Sequence, residues 1–440
     1  MAYREFDEFS VSRRSLLRGG GLLGLGAIAS LSPLSARLVR AHETMDWPAV
    51  QAMLDEYAGT GKVANIVAAL GYGTNDPRFL AKGTLALNGS VAADADSLYR
   101  VYSMTKPVTG MAAMMLIDDG KLGLDQPLAE ILPAFANMMV QKEYDGSIEP
   151  DNLEPAERPI TIRQLLTHTA GLGYNIVQQG PINQYYAENG LTPAQISRLP
   201  LPGAAPMETA SSLASFADKL AEAPLVYQPG TRWSYSVALD LLGRVIEVAG
   251  QMPFDAFLES RIFEPAGMTS TWFTVPESEV GRLTTNYYSV GGRMLPVDPA
   301  ASSVYLDNPA FPFGGAGLVS SPRDYDRFLK MLLNYGMIDG RRVMGELAVR
   351  VGTSNLLPET VDLSGSWVAG QGFGAGGRVQ MKAGQHAYGW GGAAGTAAFV
   401  DFAKDLRASL FTQYMPSSAY PIQEGFPIAV EKDVAAAHGL

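Results

Sequence analysis

Leu98-Tyr99-Arg100-Val101-Tyr102-Ser103-Met104-Thr105-Lys106 is the stretch around which the rest of the chain is arranged. It continues as Pro107-Val108-Thr109-Gly110, then as an apolar run from Met111 to Ile117, closed by Asp118-Asp119-Gly120. An extended, aromatic-rich approach gives way to a helical pattern, with Ser103 at the junction. Ser103 and Lys106 stand three residues apart, so on a helix they share a face one turn apart. A helix start also supplies free backbone N–H groups and a partial positive charge, which favour a developing oxyanion. Pro107 falls in the first turn, where a missing N–H costs little. A serine hydroxyl is a weak nucleophile until a nearby base takes its proton, and an unprotonated lysine can assist. The spacing makes Ser103 a candidate nucleophile and Lys106 its partner. Of the ten lysines, only Lys106 follows a serine at that distance. Chance alone supplies such a match, so the weight falls on the rest of the chain.

The composition is that of an ordinary globular protein. The 440 residues are 47% hydrophobic and 18% charged, ample for a large core. A net charge of −11, with no compact basic patch, argues against a nucleic-acid surface. The absence of cysteine excludes disulfides, thiolate metal sites and cysteine nucleophiles. The four histidines, His42, His168, His386 and His438, are not at helix-face spacing, so no metal and no cofactor is expected.

Residues 1–41 read as an address rather than as fold. Ser12-Arg13-Arg14-Ser15-Leu16-Leu17-Arg18 is a twin-arginine type pattern, followed by the modestly apolar Gly19 to Leu34. That stretch is too short and glycine-rich for the roughly 20 strongly apolar residues of a membrane span. Export to the periplasm or beyond is the expectation, without stable membrane insertion, and residues 42–440 form the working domain.

Asn65 to Tyr72 (NIVAALGY) and Phe79 to Leu87 read as paired strands around the turn residues Gly73 to Pro77. Met139 to Pro159 reads as a surface loop, and Thr161 opens a helix that stops near Gly171. Helical patterns cover Leu213 to Ala223, Ala238 to Ala249 and Pro322 to Tyr335. Leu295 to Phe313 is loop-rich. Strands follow at residues 371–378, 386–401 and 406–413, then a final helix near Ala429 to Ala437. Strands at both ends with helices between imply one sheet built from both termini around a mostly helical middle.

Gly372-x-Gly374-x-x-Gly377 lacks a strand–turn–helix setting and an acidic ribose partner, so a dinucleotide fingerprint is not indicated. No Gly-x-Ser-x-Gly elbow occurs. Tyr235, after the turn Tyr227-Gln228-Pro229-Gly230-Thr231 and just before a helix, is placed to project toward a cleft. A tyrosine near a lysine loses its proton more easily and can act as general base. In His386-Ala387-Tyr388-Gly389-Trp390-Gly391-Gly392-Ala393-Ala394-Gly395-Thr396, the glycines would let a ligand approach an edge strand closely. An N–H there could complete an oxyanion hole with that of Ser103.

In this order, these pieces resemble the serine β-lactamase and penicillin-binding-protein-like superfamily, most of all class C β-lactamases and family VIII carboxylesterases. The resemblance covers about residues 45–415. It includes Ser-Met-Thr-Lys (103–106), LLTHTAGL (165–172), YQPGTRWSYS (227–236), IFEPAGMTST (262–271) and GGAGLVSSPRDYDRF (314–328). It implies an α/β architecture, an antiparallel sheet flanked by helices plus an all-helical region, with the site between them. It also implies Ser103 as the acylated nucleophile, Lys106 lowering its barrier and Tyr235 shuttling protons. The N–H groups of Ser103 and Ala393 would form the oxyanion hole. Two departures bear on substrate. Class C enzymes carry Tyr-x-Asn where this chain has Val237, and Lys-Thr-Gly where it has Trp390-Gly391-Gly392. Both remove polar anchors for an anionic amide and add apolar surface at substrate-binding positions. The expectation is a carboxylesterase acting on small uncharged esters of short or medium acyl chain. A β-lactamase or D,D-peptidase, or an acyltransferase sharing the acyl-enzyme, are the alternatives. The sequence leaves the oligomeric state open.

Overall fold

In the computed structural model, the described residues are 45–192, 194–198, 209–380 and 386–437. The expected export signal, with His42 and His438, lies outside them. The elements that position the site are, in chain order, helix α1 (Pro48–Tyr57) and strands β1 (Asn65–Tyr72) and β2 (Arg78–Gly83). A helical middle follows, with α2 (Thr105–Asp118), α3 (Ile162–Leu166), α4 (Leu213–Glu222) and α5 (Ala238–Gly250). Then come α6 (Pro322–Leu333), β3 (Gly372–Phe373), β4 (Arg378–Val379) and β5 (Ala387–Gly391). Strands β6 (Ala397–Asp401) and β7 (Leu406–Phe411) and helix α7 (Ile422–Ala437) complete the set.

The sheet runs β3-β4-β5-β6-β7-β1-β2 with every pair antiparallel. The termini meet where Val67 of β1 lies opposite Phe411 of β7. Every residue of β1 is buried, because helices cover both faces of the sheet, so its sequence shows no alternation. Trp47, which precedes α1, stacks on Tyr72 from one side, where Phe426 of α7 also meets Phe399 of β6. On the opposite face Tyr325 of α6 packs on Phe411. Helix α6 starts as its sequence dictates: the Ser321 hydroxyl accepts the Asp324 N–H at 3.1 Å and Pro322 occupies the first turn.

Helix α2 is buried along nearly its whole length and lies between the sheet and the helical region. Its Gly110 lets the Ala375 backbone come so close that a Cβ would sit 2.2 Å from the Ala375 carbonyl oxygen. On the other side α5 packs on α2, and α3 and α4 pack on α5. Helix α3 opens with a capping box in which Thr161 and Gln164 satisfy each other's backbone N–H groups.

Four expectations need correction. The helix that Thr161 opens ends at Leu166, short of Gly171, and His168 just beyond it takes a positive φ of +56°. Met139 to Pro159 is not all loop: Met139–Gln141 pairs with Leu153–Pro155, because Val140 is fully buried. The start of the stretch read as loop-rich from Leu295 is strand: Arg293–Asp298 forms a hairpin with Asn286–Val290 around Gly291 and Gly292, whose positive φ values suit a two-residue hairpin turn. The last helix starts at Ile422, earlier than expected, with Pro427 accommodated inside it. No helix among the described residues is long and apolar enough to cross a membrane.

Candidate active site

The segment before Ser103 is clamped by a short ladder. Tyr99 and Arg100 pair with Ser320 and Val319, and the Val101 N–H reaches the Leu318 carbonyl at 3.0 Å. Tyr102–Met104 forms a 3₁₀ turn that runs directly into α2, which places Ser103 at a helix entrance. Tyr102 has a φ of +42°, a strained value for a side chain of this size. It is held there by burial, by an edge contact with Tyr305 at 6.4 Å, and by Asn286 donating to its hydroxyl at 3.1 Å. Thr105 accepts the Leu318 N–H at 3.1 Å and Thr109 donates to the Gly314 carbonyl at 2.7 Å. These bonds fasten the Gly314–Leu318 segment along α2.

Lys106 is fully buried. Its Nζ donates to the Ser103 Oγ at 3.3 Å and to the Gly315 carbonyl at 2.7 Å. The ammonium lies 4.5 Å from the centre of the Tyr235 ring and 5.8 Å from that of Tyr174. Behind it stands Asp240 of α5, also fully buried, whose Oδ1 accepts the Gly315 N–H at 2.8 Å. Gly315 is thus gripped at its N–H by an acid and at its carbonyl by the lysine. A Cβ there would meet Asp240 Oδ2 at 2.4 Å, so a larger residue would have to push the carboxylate aside. Burial pushes the Asp240 carboxyl up to about 6, and the Lys106 charge pulls it only part of the way back. Sequence reading passed over Asp240, although an acid in the otherwise apolar run Ala238–Leu242 was a signal.

Tyr235 stands at the centre of an aromatic cluster. Its ring lies 4.7 Å from His168, 5.4 Å from Tyr174, 5.0 Å from Trp367 and 5.7 Å from Trp390. The Trp390 Nε1–H donates to its hydroxyl at 3.2 Å. His168 is a support rather than a base. Its Nδ1 accepts the Ser236 N–H at 3.2 Å, and burial, with the nearby Lys106 charge, holds its pKa well below the usual range.

Strand β5 ends beside Ser103, and the glycines at its end let neighbouring segments of the chain pack closely. A Cβ on Gly392 would lie 2.3 Å from both the Val101 carbonyl oxygen and the Thr396 Oγ1. One on Gly391 would meet Gln423 at 2.9 Å. The strand therefore closes directly against the turn before Ser103. Ala393, at the tip, is exposed, and among the described residues its N–H has no acceptor. The strand is not at the sheet edge as expected but lies between β4 and β6, and Trp390 near its end is only partly buried. Val237 departs from expectation. As the residue preceding α5 it turns inward, is fully buried in the core, and has no surface to offer a substrate.

Next to Tyr235 opens a cleft of about 240 Å³, walled by Tyr144, Ile176, Arg232, Trp233 and Trp367. Of these the sequence singled out none. Trp367 lies in a glycine- and serine-rich loop whose only signal is the aromatic itself.

The chain matches the family described as Beta-lactamase over residues 50–427. Protein Rv1367c of Mycobacterium tuberculosis (strain ATCC 25618 / H37Rv) is 33% identical over 344 residues, which is 75% of this chain and 80% of that protein. Esterase EstB of Burkholderia gladioli is 31% identical over 252 residues, 54% of this chain and 57% of EstB. Among solved structures, one described as "EstCE1, a hydrolase with promiscuous acyltransferase activity" superposes with a TM-score of 0.70. It covers 92% of this chain and 100% of its own at 24% identity, a likeness of fold.

Proposed function

The chain belongs to the beta-lactamase family, and we propose that within it the protein is a serine esterase, hydrolysing carboxylic esters of short to medium chain length. The observation that carries this is the contact of Trp390 with Tyr235. An uncharged indole, its N–H on the proton-shuttling hydroxyl, stands where the resemblance places the lysine of Lys-Thr-Gly. At that position the side chain is uncharged, while Ser103 and Lys106 remain in contact. The likeness to Esterase EstB supports the same reading.

Mechanistically, the Ser103 Oγ attacks the ester carbonyl carbon as its proton passes toward Tyr235, and the carbonyl π pair moves to the oxygen. Lys106, donating to Oγ and lying against the Tyr235 ring, favours negative charge on both atoms. The N–H groups of Ser103 and Ala393 receive the oxyanion. Collapse of the tetrahedral intermediate breaks the bond to the alcohol oxygen, which takes the proton from Tyr235. Tyr235 then removes a proton from water, whose oxygen attacks the acyl carbon; collapse breaks the bond to the Ser103 Oγ, which takes that proton back from Tyr235, and the acid is released. An alcohol in place of that water gives acyl transfer from the same intermediate, the activity in the description of EstCE1.

The test is intact mass after exposure to an organophosphate, with turnover of p-nitrophenyl butyrate and of the cephalosporin nitrocefin. A single adduct at Ser103, lost with all ester turnover in Ser103→Ala, is the expected result. Fast nitrocefin turnover with little butyrate turnover would make the protein a β-lactamase instead. We further propose that residues 1–41 direct twin-arginine export, a reading supported by Arg13-Arg14 within Ser12–Arg18. Lysine at both positions should leave the protein in the cytoplasmic fraction.

A further inference from the structure

The cleft beside Tyr235 has no part in the steps just described, yet Tyr235 forms one of its walls. Two large apolar side chains at it are unusually open, Trp367 at 57% and Ile176 at 59% exposure. The Trp233 ring stacks on Tyr235 at 6.2 Å and 21°, and the Arg232 guanidinium covers Tyr144 at 4.0 Å. The rim is held in place rather than loose. The Asp362 N–H reaches the Thr231 carbonyl at 2.9 Å and the Trp233 N–H returns to the Asp362 carbonyl at 3.1 Å. The Ser366 hydroxyl closes the next turn on the Leu363 carbonyl at 2.8 Å. Trp367 is therefore presented by backbone fixed to the segment that carries Tyr235.

Shape and chemistry narrow the occupant. At about 240 Å³ the cleft is smaller than the roughly 300–1,000 Å³ of sites for drug-sized ligands, so it suits one small ring system. Aromatic walls favour a flat ring, which stacks or meets edges at little cost in ordering. Direction follows from Tyr235, the residue that returns a proton to the departing oxygen. A group lodged against it is the one attached to that oxygen. We propose that this cleft is the alcohol-side subsite, taking an aryl group of the departing alcohol, and that Trp367 sets the preference for it. The inference rests on the serine-esterase reading and names the substrate class within it.

The experiment compares kcat/KM ratios, so that intrinsic ester reactivity cancels between variants. The alcohol-side ratio is 1-naphthyl butyrate over methyl butyrate, and the acyl-side ratio is methyl 1-naphthylacetate over methyl acetate. Trp367→Ala should lower the alcohol-side ratio by about tenfold, the scale of one lost ring contact with its buried area, while Trp367→Phe restores most of it. Because Trp367 is exposed, its truncation leaves the core intact, and the thermal midpoint measured alongside verifies this. An unmoved alcohol-side ratio, or a fall in the acyl-side ratio instead, overturns the subsite while ester turnover and the Ser103 adduct stand. If wild type hydrolyses no ester and takes no adduct, the esterase reading falls and the subsite with it.

Discussion

Ionising the Asp240 carboxyl inside the protein means stripping its water, and Lys106 returns only part of what is lost. Its Oδ2 has no hydrogen-bond partner among the described residues, so the charged form is left poorly satisfied. The unfolded chain releases this proton near 3.8, the folded chain near 6. Across that window the folded state binds more protons, so stability falls as pH rises through it and stays lower above it. Two units correspond to roughly 3 kcal/mol before any relaxation. Asp324, pushed to about 6 by its own burial, adds a trend of the same sign. Comparison with Asp240→Asn isolates the first, because the amide keeps an acceptor for the Gly315 N–H and has no such proton to lose. We expect wild type to lose about 2–3 kcal/mol relative to this variant between pH 4 and pH 7. Urea unfolding at both ends of the range checks it, and a constant gap would refute the assignment.

Gly110 shows why an element's own preferences do not decide its sequence. In the interior of an exposed helix, alanine would stabilise by about 1 kcal/mol over glycine. In α2 the new methyl would run into the Ala375 carbonyl, a backbone atom tied down by its neighbours: the Ala375 N–H holds Gly352 and the Gly376 N–H holds Leu166. Gly110→Ala should therefore destabilise, by about 1–3 kcal/mol, and should slow ester turnover by moving Ser103 and Lys106 on the same helix. A more stable variant by urea titration would contradict this packing. Much at this scale was legible in the sequence. The α6 periodicity with its serine cap, the apolar run of β1 and the order Ser103, Lys106, Tyr235 all carry local signals. The hairpin at Asn286–Asp298 escaped although Gly291-Gly292 marks its turn, because its strands are short and partly exposed. Val237 misled for a related reason: sequence gives the residue type, but the start of α5 decides which way the side chain points. Asp240, Trp367 and the cleft arise from contacts between distant segments, which no local spacing encodes.

Closing the sheet joins β1 to β7 across more than three hundred residues, a long-range pairing whose loop-closure cost the contacts across it have to offset. One fastening is Arg407 of β7, fully buried. Its guanidinium binds the Asp326 carboxylate of α6 at 2.8 and 3.2 Å and the carbonyls of Gly73 and Asn75 at 2.8 and 2.6 Å. It therefore ties the last strand to a covering helix and to the turn between the first two strands. Gly71 makes room for it, since a Cβ there would lie 2.4 Å from the guanidinium carbon. Burial outweighs even this partner and raises the Asp326 carboxyl, so the pair is poised rather than strongly favourable. The consequence is asymmetric. Removing one partner strands the other: Asp326→Ala should cost about 3–5 kcal/mol, leaving Arg407 charged and buried. Replacing both, as Arg407→Met with Asp326→Leu, should recover much of that loss and leave mainly the two turn carbonyls unsatisfied. The exposed pair Arg163–Asp125, at 2.6 Å, is the control, where Asp125→Ala should cost no more than about 1 kcal/mol. Urea denaturation of the four proteins decides it. If Asp326→Ala is no worse than Asp125→Ala, the closure of the sheet does not depend on this charge pair, and its weight rests on the apolar packing of β1 and β7 alone.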